Sequence, residues 1–168
     1  MSNNSLLVFT IIMLPLCFLA LSWFAGTDAP YVATKMDLIN KVLKLAGVKK
    51  GKKFYELGSG DGRVVYAAAK LGAESMGIEQ SWLRVLYSRY QSIKQNLPNA
   101  KFKHGNIFNL NYSDANTIYI YLLPKGIAKL EKKLPQELKK GSVIITQTYH
   151  FQSLKEFKKE GNFNFYQI

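Results

Sequence analysis

The sequence predicts an α/β protein, a doubly wound sheet preceded by one N-terminal transmembrane helix. Three observations predict it. Short apolar stretches alternate with amphipathic ones from residue 33 onward, a glycine-rich turn follows the first of those strands, and no charged side chain precedes Asp28. Alternation of that kind favours a mostly parallel sheet with right-handed crossovers. A length of 168 residues suits one domain once the hydrophobic segment is set aside. The 13% aromatic content excludes a disordered chain, and the single cysteine, Cys17, excludes an internal disulfide. No Cys/His cluster offers ligands to zinc, so no metal is expected.

The N-terminal helix rests on Leu6 to Ala25, a stretch without charge. At its helical rise it would extend roughly 30 Å, the thickness of a bilayer's hydrocarbon core. A cleaved secretory signal would carry Lys or Arg in its leader, and Met1 to Ser5 carries neither. Pro15 is tolerable inside a membrane helix, and Trp23 and Phe24 fall where interfacial aromatics sit. Lys35, Lys41, Lys44, Lys49, Lys50, Lys52 and Lys53 all follow the segment, and nothing basic precedes it. The positive-inside rule then gives a single-pass membrane protein with its folded part in the cytoplasm. The expected division is an anchor over 1–27 and a folded domain over 28–168.

The elements of that domain follow in order. Thr34 is the expected cap of a helix with Met36, Ile39, Leu43 and Ala46 at helical spacing, stopped by Gly47. Lys53 to Leu57 reads as the first strand, and Arg63 to Leu71 as a helix rich in alanine. Met76 to Glu79 is a second strand. Ser81 caps a long helix with Trp82, Val85, Leu86, Tyr90 and Ile93 along one side. Lys101 to His104 makes a third strand. Thr117 to Leu123, apolar nearly throughout, makes a fourth and reads as a buried parallel strand. A helix over Lys125 to Leu138, a strand over Ser142 to Thr148, a short helix over Gln152 to Lys159 and a strand over Asn162 to Ile168 complete the chain.

The chemistry concentrates in Glu56-Leu57-Gly58-Ser59-Gly60-Asp61-Gly62-Arg63, between the first strand and its helix. Glycines there let the backbone turn sharply and let a ligand approach, at the strand ends where open α/β sheets bind nucleotides. A dinucleotide fingerprint would place its third glycine where Arg63 stands, and a Walker loop would end in Gly-Lys-Ser/Thr. Neither fits, so the spacing points to another nucleotide ligand. Glu79 closes the second strand, where a carboxylate accepts hydrogen bonds from both ribose hydroxyls.

These residues resemble the class I S-adenosylmethionine-dependent methyltransferases. Glu56 to Gly62 is similar to their first motif, and Glu79 matches their ribose-binding acid. Four blocks resemble more narrowly the small membrane-anchored protein-lysine methyltransferases that modify the c-ring protein of ATP synthase and the adenine nucleotide translocase. The blocks are Pro30-Tyr31-Val32, ELGSGDGR, Trp82 to Tyr90, and Tyr121-Leu122-Leu123-Pro124. The resemblance implies a Rossmann-like methyltransferase sheet, S-adenosyl-L-methionine as cofactor and a lysine of a membrane-associated protein as acceptor. It implies cofactor contacts from Glu56, Gly58, Gly60, Asp61, Gly62 and Glu79. It also implies one from Asn106, which stands where such enzymes often place an acid for the adenine amino group.

Methyl transfer to lysine needs a neutral amine, which burial in an aromatic channel favours. Tyr31, Tyr119 and Tyr121 are the candidate walls, with Tyr31 and Tyr121 assigned to the acceptor channel and Tyr119 equally readable as core. Nucleic-acid amino methyltransferases carry Asn/Asp-Pro-Pro-aromatic after their fourth strand, whereas this chain has Tyr-Leu-Leu-Pro. That counts against nucleic acid as a substrate, although a net charge of +12 would hold it non-specifically. A lipid or small-molecule methyltransferase at the bilayer and an inactive tethered binding module remain the alternatives.

Overall fold

The computed structural model of the protein describes residues 3–24 and 34–168. Helix α1 (Asn3–Phe24) contains Pro15, and its described side chains, Leu6 to Phe18 and Leu21, are all exposed. Among the described residues no helix is long and apolar enough to cross a membrane. The side chains described on α1 stop short of the run of about 20 residues that a bilayer needs.

The domain then runs α2 (Ile39–Leu45), β1 (Lys53–Leu57), α3 (Arg63–Lys70), β2 (Glu74–Glu79), α4 (Trp82–Lys94), β3 (Ala100–His104) and β4 (Thr117–Ile120). It ends with α5 (Pro124–Glu137), β5 (Val143–Gln147), β6 (Lys158–Glu160) and β7 (Phe163–Gln167). The seven strands form one sheet in the order β3-β2-β1-β4-β5-β7-β6. Strands β1 to β5 are parallel, while β7 pairs antiparallel with both β5 and β6. The doubly wound α/β expectation therefore holds, with an antiparallel edge that the alternating pattern did not announce.

The order reverses between β1 and β4, which opens a crevice at their carboxyl ends. Successive residues of the central strands point to opposite faces and feed two cores. Ile118, Ile120 and Ile144 join Leu130 and Leu134 of α5 on one face. Tyr119, Ile145 and Phe165 join Ile39, Val42 and Leu43 of α2 on the other. All four residues of β4 are buried because both faces are covered, which is why that stretch reads as a continuous apolar run.

Three local expectations need correction. Thr34 caps no helix: α2 starts at Ile39 behind Leu38, and the Thr34 hydroxyl lies buried against Tyr119 and Gln147. Residues 152–159 are not helical, because their donors go to neighbours instead. The Ser153 amide and hydroxyl bond Glu131 of α5, the Phe157 amide bonds Phe165, and β6 follows. The core face of α4 is the third correction. It is made of Arg84, Val85, Ser88 and Ser92, whereas Trp82, Leu86, Tyr90 and Ile93 point outward.

Candidate functional site

The chain leaves β1 at Leu57 and turns through Gly58 to Gly62 into α3. The Gly58 and Ser59 amides both donate to the Ile78 carbonyl at 2.9 Å, so the turn is pinned against β2. Gly62 caps α3 at φ +81°, a left-handed conformation. A Cβ there would lie 2.6 Å from the Phe102 ring and 2.8 Å from the Tyr66 hydroxyl. Gly77, on β2, has the same importance and was missed from sequence. A Cβ at Gly77 would meet the Ser59 hydroxyl at 2.7 Å, so only glycine lets the turn lie on the strand. The available signal was a glycine inside a strand, which often marks close backbone approach.

Glu79 joins two elements. Its Oε2 accepts from the Gly60 amide at 2.9 Å, and its Oε1 accepts from the Gln80 and Ser81 amides at 2.9 Å each. The buried Arg84 guanidinium lies 3.9 Å away. The acid thus ties the glycine turn to the start of α4, where a helix N-terminus favours negative charge. Sequence reasoning expected the fold to survive loss of this side chain. Three backbone donors depend on it, so Glu79→Ala should lower stability by about 1.5–3 kcal/mol as well as weaken ligand binding. Urea titration checks this, and an unchanged midpoint refutes it.

Glu56 is buried near the head of α3, where its carboxylate takes a hydrogen bond from the Val65 backbone. Its Oε2 has no hydrogen-bond partner among the described residues, nor does the Ser59 hydroxyl in the same turn. Burial pushes the Glu56 carboxyl well above the usual range, and the neighbouring Asp61 charge pushes it further. Asp61 itself is gripped by Arg63, whose Nη2 lies 2.6 Å from Oδ2 and whose Nε lies 3.0 Å from both oxygens. Arg63 Nη1 also donates to the Thr34 carbonyl at 3.2 Å, which straps the entry segment to the turn.

The structure therefore brings Glu56, Gly58, Gly60, Asp61, Gly62 and Glu79 together at the ends of β1 and β2. Asn106 follows β3, exposed, and its Oδ1 accepts from the Phe108 amide at 2.9 Å. The preceding Gly105 amide bonds the Glu79 carbonyl, which sets Asn106 beside the acid. Tyr121 lies just past β4, half-buried against the α2 side of the core. Tyr31 lies outside the described residues. Tyr119 is fully buried and forms no channel wall. Its hydroxyl bonds Gln147 beside Thr34, and burial pushes its phenol far up, so it stays protonated.

A glycine turn at the switch point, tied down by the acid that closes β2, is how a Rossmann-like methyltransferase is built, and the fold is of that class. The chain belongs to the family described as the ANTKMT methyltransferase domain, whose family model matches residues 56–158. It is similar to the human lysine N-methyltransferase named for the c-ring protein of ATP synthase, 32% identical over 123 residues, which covers 73% of this chain and 52% of that protein. It is also 30% identical over 142 residues to a protein-lysine N-methyltransferase of Saccharolobus islandicus, covering 80% and 88% respectively. The chain spans about half the length of the human, rat and mouse enzymes it matches. Among solved structures, an RNA methyltransferase of Salinibacter ruber in complex with S-adenosyl-L-homocysteine superposes with a TM-score of 0.74. It is 27% identical and covers 81% of this chain and 92% of that one.

Proposed function

We propose that the protein is an S-adenosylmethionine-dependent methyltransferase that modifies a lysine of a membrane-associated protein. The observation that carries this reading is the likeness to lysine methyltransferases across the very residues that form the turn. The residues present fit the cofactor. A buried carboxylate oxygen on Glu56 and the Ser59 hydroxyl lack partners, and the glycine turn leaves backbone open to close approach.

When bound, the cofactor supplies an activated methyl group on a sulfonium sulfur. The chain's own task is alignment. Glu56 Oε2 would receive the methionine ammonium, and Gly58, Gly60 and Gly62 would line its path. Glu79 would hold the ribose with the lone pairs its backbone donors leave free, and Asn106 would stand at the adenine end. Asp61, engaged by Arg63, keeps the turn in shape and adds negative potential near Glu56. Tyr31 and Tyr121 would wall the acceptor channel and keep the incoming lysine neutral.

The test is transfer of labelled methyl from the cofactor by the full chain to membranes that lack the enzyme. A labelled protein band yielding methyl-lysine is expected. Label found in RNA instead would favour the second reading, which the Salinibacter neighbour and the net charge of +12 support, and would overturn this one.

The uncharged segment before Asp28 and the lysines after it support a single-pass anchor over 1–27 with the 28–168 domain in the cytoplasm. Confinement to one surface raises the effective concentration of enzyme and acceptor. Removal of residues 1–25 should therefore leave methylation of a short acceptor peptide nearly unchanged and sharply lower methylation of the native target in cells. Equal methylation in cells by both forms would show that tethering is not the segment's role.

A further inference from the structure

The outward face of α4 is the least explained surface of the domain. Trp82, Leu86, Tyr90 and Ile93 follow one another at spacings of one helical turn, and they are 57%, 54%, 61% and 77% exposed. An apolar stripe at that spacing normally faces a core. Here the core face of the same helix is served by Val85 with two serines, whose small side chains let α4 lie close to β3 and α3. Ser92 reaches the carbonyls of Leu97 and Ala100, and Arg89 straps the helix to the Phe102 carbonyl. The helix is thus fully seated without its four largest apolar residues. The stripe is about 16 Å long at the helical rise, and the Trp82 ring at its head is held flat against His104, with centroids 4.1 Å apart.

We propose that this face is a lipid-docking surface that seats the domain on an anionic bilayer. Two observations favour lipid over a protein partner. First, the chain carries no Asp or Glu from Gln80 to Ser113, while Lys94 ends the helix and the edge strand β3 adds Lys101 and Lys103, both exposed. A helix with Trp, Tyr, Leu and Ile on one side and unrelieved positive charge around it matches an interfacial amphipathic helix, and each nearby lysine favours acidic headgroups. Second, α1, the most apolar helix of the chain, approaches the domain at α4. The segment proposed as the anchor and the apolar stripe therefore meet the same side of the molecule.

The inference goes beyond the methyltransferase reading and needs the anchor only to say where the bilayer lies. Trp82 and Trp23 are the two tryptophans, so the full chain bearing Trp23→Phe reports Trp82 alone. It would be mixed with brominated vesicles of phosphatidylglycerol or of phosphatidylcholine. Sedimentation reads the anchor, and quenching of Trp82 reads the face. The expected result is strong quenching in phosphatidylglycerol, weak quenching in phosphatidylcholine, and loss of most of it on Leu86→Asp with Ile93→Asp. Those two side chains are exposed, so the double variant should melt as the parent does. Sedimentation without Trp82 quenching in phosphatidylglycerol would overturn the proposal while leaving the anchor intact. Equal quenching in both lipids, or Trp82 shielding that appears only when a protein acceptor is added, would also overturn it. The last outcome would reassign the stripe to a protein partner.

Discussion

Gly62→Ala should destabilise the domain by roughly 2–5 kcal/mol, as the sum of two separate costs. A non-glycine residue held in the left-handed region costs roughly 1–2 kcal/mol, and Gly62 sits there at φ +81°. Forcing a methyl into a filled site costs roughly a further 1–3 kcal/mol. The new Cβ would stand 2.6 Å from Phe102, a buried ring packed edge-on against Tyr66 with centroids 5.4 Å apart. Neither ring has room to retreat. Gly141→Ala is the control, because Gly141 has φ +87° and nothing within 4 Å of its would-be Cβ. It should show the backbone cost alone. Urea unfolding separates them, as a shift in midpoint at constant slope. Equal losses in the two variants would refute the role of the Phe102 contact.

Glu56→Gln should move stability and cofactor affinity in opposite directions. Burial, aided by Asp61, raises the Glu56 carboxyl in the folded state above its unfolded value. The sign follows from linkage: the folded state holds its proton more tightly, so its stability is fully present below the ordinary Glu value of about 4.3. That stability is lost as pH rises through the raised one. Glutamine abolishes the loss. The variant should melt higher than the parent near pH 8, with the gap closing toward pH 4. Its affinity for S-adenosylmethionine should fall by roughly 10- to 150-fold, the equivalent of a charge-assisted bond worth about 1.5–3 kcal/mol. In the parent, binding a cationic ammonium beside Glu56 should expel the proton, so the calorimetric enthalpy should vary with the ionisation heat of the buffer. Unchanged affinity in the variant would remove Glu56 from the site.

What was legible from sequence was what is local. β1, the glycine turn and Glu79 were readable because their chemistry depends on neighbours a few residues away, and the structure has them at those positions. The cluster of Thr34, Tyr119 and Gln147 was not readable. Its members are separated by 85 and 113 positions, and only the meeting of β4 and β5 with the entry segment makes them partners. Thr34 accordingly looked like a helix cap. On α4 the period was right and the direction wrong, since a helical stripe says which residues share a face and not what covers it. Ser88 and Ser92 gave no apolar signal, yet close approach to β3 favours small side chains. The stretch over 152–159 had helical composition, but Glu131 and Phe165, both distant in sequence, take its donors.

The position of β7 has a consequence for biosynthesis. β5 finds its parallel neighbour β4 as soon as the chain has passed Gln147, but its other side is covered only by β7, in a register running from Val143 opposite Gln167 to Gln147 opposite Phe163. Until residue 167 emerges, a nascent chain would display the open flank of a strand containing Ile144 and Ile145, a ready template for another chain. Chaperone holding or slow translation through 148–162 would then lengthen the most aggregation-prone interval. Once β7 is in place, the new rim is β6, three residues long and carrying Lys158 and Lys159, which offers little for a stray strand to join.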